Sequence, residues 1–524
     1  MATFDKKRSL LNVSIAIGTK IVLLLMSFLV RRCLIIYGGA SLGGLAALFG
    51  DIVGILAIVE CGIDGAILYH LYQPIVAGDT QQVAALYRLC RKAYLIIDGV
   101  IVGLGLLVTP FLPLIIEVAG DFAADVNVYL TFWLFLATTC VGYFFRAKVV
   151  LIDAHKNNFV VTSLQAVSVL VGQILQIVAL VVWHSFTWYL VGAIVNALVN
   201  WLLLTIYTRR HYRSLITTKA KLDPATGQAV KRSTKAMLAH YISGVISTYI
   251  DNLIILLLIG FVTRNAYANY ILILESLSKL LQLFLSPLTA IIGHHCVQAD
   301  ANEKHRYFQF FYTVNLVINL IFMLGYFAVI NPLITIWFGS TAVVNEGLAL
   351  NTAVVALLVI NNFTIFLSSP LDIYRNATGS FYYDRWVAVG GTLFSLISMP
   401  LLTWWLGIMG TLLSALLKMC LIVGIFTPLI IYPRVFARRP TKFYLVNYGL
   451  VAVFAAAVGV VYLLLTYVVP VFASAWLQFL VNGWVAVAVA GVVLLLLLAV
   501  SPTFRDNVRR GLRVLRSRRK AVAQ

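Results

Sequence analysis

Apolar runs of about 20 residues recur along the whole chain and are separated by short polar stretches. A run of this length lets an α-helix cross the hydrocarbon core of a bilayer. The pattern predicts about fourteen membrane-spanning helices, at roughly 10–32, 41–73, 92–116, 128–151, 159–183, 187–208, 236–262, 267–293, 308–331, 350–376, 384–405, 408–432, 443–468 and 474–500. We therefore expect an all-α polytopic membrane protein.

The composition agrees with this class and excludes a soluble globular protein folded around one hydrophobic core. Hydrophobic residues make up 61% of the 524, charged residues only 11%, and the mean hydropathy is +0.96. Soluble domains carry about 25% charged residues.

The net charge of +20 is distributed unevenly along the predicted topology. Of the 39 Lys and Arg residues, 33 fall on the N-terminus, alternate loops and the tail. Three fall on the opposite side: Arg31, Arg32 and Arg264. The positive-inside rule then predicts that both termini are cytoplasmic. A basic tail of this kind is drawn to anionic lipid, so no nucleic-acid partner is expected.

A weak internal repeat divides the chain. "PLIIEVAGD" (113–121) parallels "PLITIWFGS" (332–340), and "DAHKNN" (153–158) parallels "DIYRNA" (372–377), both at the same offset along the chain. The pattern predicts two six-helix bundles related by a pseudo-twofold parallel repeat, with a substrate site between them. The predicted domains are an N-terminal bundle (1–208), a basic cytoplasmic linker (209–235), a C-terminal bundle (236–440), two accessory transmembrane helices (441–500) and a basic cytoplasmic tail (501–524).

Polar stripes interrupt three of the predicted spans. A charge at the bilayer centre costs about 3 kcal/mol on insertion scales, so such residues are functional candidates. The stripes are Lys20, Ser27 and Arg31 in the first span; His240, Gly244, Ser247 and Asp251 in the seventh; and Thr411, Ser414 and Lys418 in the twelfth. They indicate either a water-accessible cavity or hydrogen bonds that hold helices together. In the eighth span, Glu275 and Lys279 have the spacing of an ion pair on one helix.

The stretch "VECGID" places Glu60 and Asp64 four residues apart in an apolar, glycine-rich run. Two ionised carboxylates on one face of a dry helix repel each other and lack solvation. Either a cation binds with them, or one is protonated, or a basic residue of another helix lies close, with Lys20 the nearest candidate in sequence. The pair would then serve ion coupling, as would Asp251, or would only bridge helices.

Several segments resemble one family when they are taken in order. They are "SFLVRRCLIIYGG" and "SLGGLAALFGDIVGILAIVECGIDGAILYHLYQPI", "YISGVISTYIDNLIILLLIG", "NPLITIWFGS", "YRNATGSFYYDR" and "LGIMGTLLSAL". Together they resemble the Wzx-type polysaccharide flippases of the MOP superfamily, which serve lipopolysaccharide and capsule biosynthesis. The likeness covers roughly 1–435.

The resemblance implies a function in the bacterial cytoplasmic membrane. The substrate would be an undecaprenyl-pyrophosphate-linked oligosaccharide repeat unit, moved from the inner to the outer leaflet by alternating access. Arg31 or Arg32 matches the family's basic position after the first span, and Glu60 matches the acid of its E-L-G motif, here E-C-G. Lys20 and Lys418 are expected in the substrate site from the residue pattern alone.

The expected partners are the lipid-linked oligosaccharide, membrane lipids and the polysaccharide polymerase machinery. No cofactor or metal is expected beyond a coupling ion, H⁺ or Na⁺. The alternatives are a peptidoglycan-precursor flippase, a multidrug antiporter, or a membrane polysaccharide polymerase or ligase. An enzyme is disfavoured because the longest predicted outer loop, 332–349, holds one carboxylate, Glu346, and no His, Lys or Arg.

Overall fold

The computed structural model describes residues 2–60, 63–119, 126–155, 157–218, 220, 222–298, 300–378 and 380–510. Within those ranges, the described side chains leave out residues 2–17, 20, 119, 233, 235–241, 243–244, 246–248, 280–298, 376–377, 381–382 and 385. The described residues are almost entirely helical and contain no β-strand. The predicted all-α class is confirmed.

The chain forms two compact units, Met1–Asn265 and Ala266–Gln524. The predicted domain boundaries stay a prediction. The first unit holds α1 (Ala2–Leu56), α2 (Ile63–Ala77), α3 (Thr80–Val108), α4 (Leu112–Ala119), α5 (Val128–Ala154), α6 (Asn158–Val181), α7 (Phe186–His211), α8 (Arg213–Thr217), α9 (Pro224–Ile259) and the first residues of α10 (Phe261–Gln298). The second holds the rest of α10, α11 (Ala301–Phe338), α12 (Ser340–Asn345), α13 (Thr352–Ala377), α14 (Phe381–Leu406), α15 (Ile408–Leu417), α16 (Gly424–Phe436), α17 (Thr441–Leu463) and α18 (Ala475–Val500).

Eleven helices within the described part of the chain are long and apolar enough to cross a membrane. The first of them, Ile21–Glu60, overlaps the first predicted span from residue 21 onward and the second predicted span up to residue 60. The eleven therefore account for twelve of the fourteen predicted spans. The remaining two, 236–262 and 267–293, fall on α9 and α10, whose side chains are described only in part.

Two glycines break the apolar helices at matching places. Gly39 interrupts α1 with φ 76° and ψ 170°, and Gly260 separates α9 from α10 with φ 106° and ψ 174°. Only glycine adopts this backbone conformation without strain. The separation of the two glycines along the chain is close to the offset of the sequence repeat. The same backbone conformation thus occurs after the first predicted span and within the last residues of the seventh.

Close backbone packing supports the core of the first unit. A Cβ on Gly172 of α6 would lie 3.1 Å from the carbonyl oxygen of Gly192 on α7. The reverse distance, from a Cβ on Gly192 to Gly172 O, would be 3.3 Å. Small residues let helices in a membrane approach each other closely, which is how they associate without a hydrophobic driving force.

In the second unit, polar side chains tie helices together through backbone carbonyls. Asn319 of α11 donates to Phe363 O on α13 (2.9 Å), and Asn482 of α18 donates to Ala328 O on α11 (2.9 Å). The last predicted accessory helix is therefore anchored to the core of this unit by a buried hydrogen bond.

Candidate functional site

The two acids of "VECGID" lie at a break in the helix. A 3₁₀ turn covers Ala57–Glu60, and α2 begins at Ile63 with Asp64 in its first turn. Arg146 Nε on α5 lies 2.7 Å from Asp64 Oδ2. Tyr94 on α3 donates its hydroxyl to Asp64 Oδ1. Asp64 therefore joins three helices of the first unit through one carboxylate.

Of the three alternatives for these acids, the structure places a basic residue of another helix beside Asp64. Arg146, 82 residues away from Asp64 in the chain, contributes the cation. Arg146 and Lys148, which the charge count places on the cytoplasmic side, both lie within α5. The side chain of Lys20, the expected partner, lies outside the described residues. Glu60 is half-buried, and its role in ion coupling stays a prediction.

A second charged cluster was missed by sequence reasoning. Asp51 Oδ2 on α1 lies 2.7 Å from Arg264 Nη2 on α10, and the Arg264 and Asp51 side chains are only 6% and 8% exposed. Asn252 on α9 donates to the other oxygen of Asp51 at 2.9 Å. An acid inside an apolar span needs a partner. The position of Asp51 within the second predicted span could therefore have identified this cluster from the sequence. Removing one member of such a pair leaves a buried charge and costs about 3–5 kcal/mol.

Arg31 and Arg32 have different surroundings. Arg31 is half-buried and donates from Nη2 to Asn265 Oδ1 at 2.6 Å, whereas Arg32 is exposed. Gly43 makes room for Asn265, because a Cβ there would overlap Asn265 Oδ1. Of these two adjacent arginines, Arg31 is the one that faces the interior of the first unit.

The hydroxyls of the predicted polar stripes serve helix packing. Ser27 accepts from Gln173 Nε2 (2.8 Å), and Ser414 Oγ lies 2.6 Å from Ser398 Oγ. Thr411 Oγ1 lies 2.8 Å from Thr403 Oγ1. These contacts join α1 to α6 and α15 to α14. They support the interhelical alternative for the Ser and Thr members.

The charged members of the stripes are placed differently. Lys418 is half-buried and begins a π-helical segment, Lys418–Val423. π-Helical turns occur often at functional sites. Asp251 is half-buried on α9, beside Asn252 in the chain. The side chains of His240 and Ser247, and the surroundings of Gly244, fall outside the described residues.

The predicted ion pair between Glu275 and Lys279 is confirmed. Lys279 Nζ lies 3.0 Å from Glu275 Oε2, and both side chains are more than half exposed. The pair neutralises itself within one helix, so it marks no binding site.

Among the described residues of the second unit, Asp384 is a buried carboxylate that the sequence pattern did not single out. Arg375 Nη1 on α13 lies 2.7 Å from Asp384 Oδ2 on α14 and 3.2 Å from Asp372. Thr427 on α16 donates to Asp384 Oδ1 at 3.0 Å. This network joins α13, α14 and α16. Arg375 belongs to the repeated "DIYRNA" motif, and this repeat was the sequence signal that could have identified the network.

Among the described residues, no group of three or more His, Cys, Asp or Glu side chains is arranged to hold a metal ion. The chemistry present is that of cations and carboxylates inside apolar helices. The fold and these buried charges define a polytopic α-helical membrane protein.

Comparison with solved structures shows which fold this chain has within that class. The chain is similar to the lipid II flippase MurJ in its inward closed conformation, with a TM-score of 0.61, 13% identity, and coverage of 91% of this chain and 98% of that one. It is similar to an inward-facing multidrug resistance MATE family transporter of the MOP superfamily, with a TM-score of 0.59, 12% identity, and coverage of 84% and 99%. It is also similar to a eukaryotic MATE transporter, with a TM-score of 0.52, 14% identity, and coverage of 86% of this chain and 99% of that one. No protein-family model matches the chain, and no curated protein sequence does so significantly. The protein therefore has the fold shared by MurJ and the MATE transporters.

Proposed function

We propose that this protein is a flippase that moves an undecaprenyl-pyrophosphate-linked oligosaccharide from the inner to the outer leaflet by alternating access. The fold is that of proteins whose structures are described as a lipid II flippase and as MATE family transporters. The ordered motifs in the segment 1–435 resemble the Wzx-type branch of the same superfamily.

The observation that carries the proposal is a basic side chain held inside a membrane-spanning helix. Arg31 lies in the span Ile21–Glu60 and is oriented by Asn265 toward the interior of its unit. A cation in such a place is costly and is retained where it serves a substrate or ion path. A pyrophosphate is an anionic group that a guanidinium binds through paired hydrogen bonds.

Lys418 is proposed as a further contact for the anionic headgroup, since it is half-buried at a π-helical irregularity. Lys20 and the exposed Arg32 complete the proposed set. Glu60, Asp64 and Asp251 are proposed for coupling to H⁺ or Na⁺. Asp64 can exchange its bond to Arg146 for a proton or a cation, and this would change the charge at the junction of α2, α3 and α5.

The test is a translocation assay in proteoliposomes. A lipid-linked oligosaccharide is placed in one leaflet, and its sugar is detected by a membrane-impermeant lectin on the far side. The wild-type protein should expose the sugar faster than empty liposomes do, and Arg31→Gln should slow it. Equal rates with and without the protein would refute the proposal.

A second candidate is a peptidoglycan-precursor flippase, because the match to MurJ covers 91% of this chain. The same assay separates the two if lipid II replaces the oligosaccharide-linked lipid. Faster translocation of lipid II than of any polysaccharide repeat unit would favour this candidate. Efflux of a cationic drug without translocation of either lipid would instead favour a multidrug antiporter.

A further inference from the structure

Two cavities differ in the charge of their walls. One of about 750 Å³ in the second unit is lined by both acidic and basic side chains. The other, in the first unit, has only positively charged side chains among its described charged lining residues. This cavity of the first unit measures about 530 Å³ and lies among α3, α5 and α7. Arg91, Lys148 and Arg209 line it, and its described lining residues include no Asp or Glu. Three cations around one cavity repel each other unless an anion enters.

Lys148 is held in place within this cationic cavity. Its Nζ donates to Thr205 Oγ1 and lies 5.4 Å from the ring centroid of Trp201. Both contacts come from α7, and a cation over an indole face is attracted to it. Lys148 is half-buried, whereas Arg91 and Arg209 are exposed. The ammonium is therefore fixed by its neighbours, while the two guanidinium groups remain open to an incoming anion.

The remainder of the cavity wall is apolar and open. Leu95, Phe144 and Leu198 line it and are each about half exposed. Exposed apolar surface on a membrane-spanning helix is available for contact with lipid chains. The three cations belong to the end of the unit that the positive-inside rule places at the cytoplasm. A cationic end next to an apolar wall fits a molecule with an anionic head and a hydrocarbon tail.

We propose that this cationic cavity binds an anionic phospholipid of the inner leaflet, with its phosphate at Arg91, Lys148 and Arg209 and its chain along Leu95, Phe144 and Leu198. Basic pockets between transmembrane helices on the cytoplasmic side bind such headgroups. The site is separate from Arg31 and is independent of the proposed substrate.

Two tyrosine rings connect this cavity to the charged cluster at Asp64. Tyr143 lines the cavity, and its ring stacks on that of Tyr94 with centroids 5.7 Å apart. Tyr94 is the residue that donates to Asp64. Lipid in the cationic cavity therefore packs against Tyr143, which supports Tyr94 and through it Asp64. This contact stabilises the first unit.

The test compares two double variants with equal charge. Arg91→Gln/Arg209→Gln removes two cavity cations, and Lys92→Gln/Arg210→Gln removes their exposed neighbours, which do not line the cavity. Each full-length protein is titrated with phosphatidylglycerol and with phosphatidylcholine, and the bound lipid is counted by native mass spectrometry. The cavity variant should bind phosphatidylglycerol about tenfold more weakly than wild type, and the neighbour variant should match wild type.

Thermal unfolding in phosphatidylcholine serves as the folding control, and all three proteins should agree there. Adding phosphatidylglycerol should then raise the Tm of the wild type and of the neighbour variant more than that of the cavity variant. Equal loss of phosphatidylglycerol binding in both variants, or equal binding of the two lipids by wild type, would overturn the proposal. Inorganic pyrophosphate that binds wild type as tightly as the lipid, and is lost in the cavity variant, would assign the cavity to a soluble anion and also overturn it.

Discussion

Arg146 on α5 forms an ion pair with Asp64 on α2, with 2.7 Å between Nε and Oδ2, and Tyr94 donates to the second carboxylate oxygen. The pair lies at the first turn of α2, which follows the 3₁₀ turn Ala57–Glu60 in the chain. It therefore connects a local irregularity of the backbone to two neighbouring helices.

We expect Asp64→Asn and Arg146→Gln each to lower the free energy of unfolding by about 1–2 kcal/mol, a value between those of exposed and buried pairs. The Arg146 and Asp64 side chains are 42% and 28% exposed, so solvent screens part of the interaction. The double variant should lose less than the sum of the two. Thermal unfolding in detergent measures this, with exposed Lys92→Gln as the control. Strict additivity would mean that the pair contributes nothing to stability.

Arg31→Gln should reduce translocation of the pyrophosphate-linked lipid about tenfold, the effect of losing one charge-assisted hydrogen bond. Arg32→Gln is the matched control, because the adjacent arginine is exposed. Its rate should fall less than that of Arg31→Gln, because a solvent-exposed guanidinium contributes less to binding than a half-buried one. The measurement is the lectin-access rate, corrected for the amount of protein in the membrane. If Arg32→Gln is the slower variant, the assignment of the interior arginine is wrong.

Glu60→Gln should remove the dependence of transport on an imposed pH or Na⁺ gradient while substrate binding persists. Glu60 is the last residue of the 3₁₀ turn Ala57–Glu60 and is half-buried, so neutralising it would change the charge inside the span. Asp64 is engaged by Arg146 and Tyr94, so Asp64→Asn should affect stability more than gradient dependence. The rates are compared in proteoliposomes with and without each gradient. Gradient dependence that survives in Glu60→Gln would leave both acids with a structural role only.

Gly43→Ala should destabilise the first unit by about 1–3 kcal/mol, because the new Cβ would displace Asn265 and its bond from Arg31. Gly50→Ala on the same helix is the control, since a Cβ there meets nothing within 4 Å. That substitution should be neutral or slightly stabilising through helix propensity. The two Tm values in detergent make the comparison. Similar Tm values for both variants would show that the contact at Gly43 is not needed.

Topology is tested with single cysteines at two exposed positions, Gln228 on α9 and Asn345 on α12. The charge distribution predicts that position 228 reacts only with membrane-permeant thiol reagents and that position 345 also reacts with impermeant ones. Labelling is measured in intact cells, with lysed cells as the control for reactivity. Labelling of position 228 from outside would reverse the predicted orientation.

The sequence by itself determined the class of the protein and the position of most of its spans. This was possible because bilayer thickness sets the length of an apolar helix, and each run can be recognised from adjacent residues alone. The Glu275–Lys279 pair was predictable for the same reason, since its two members lie one turn apart on a single helix. The offset of the two sequence repeats also agreed with the spacing of Gly39 and Gly260.

Only the tertiary structure decided which charges meet. Asp64 pairs with Arg146, 82 residues away, and Asp51 with Arg264, 213 residues away. Helical periodicity shows which residues share a face, but it does not show which neighbouring helix that face contacts. The orientation of Arg31 toward Asn265 depends on the close packing that Gly43 permits. These partners are selected by the packing of helices distant in sequence, and that packing leaves no local pattern in the chain.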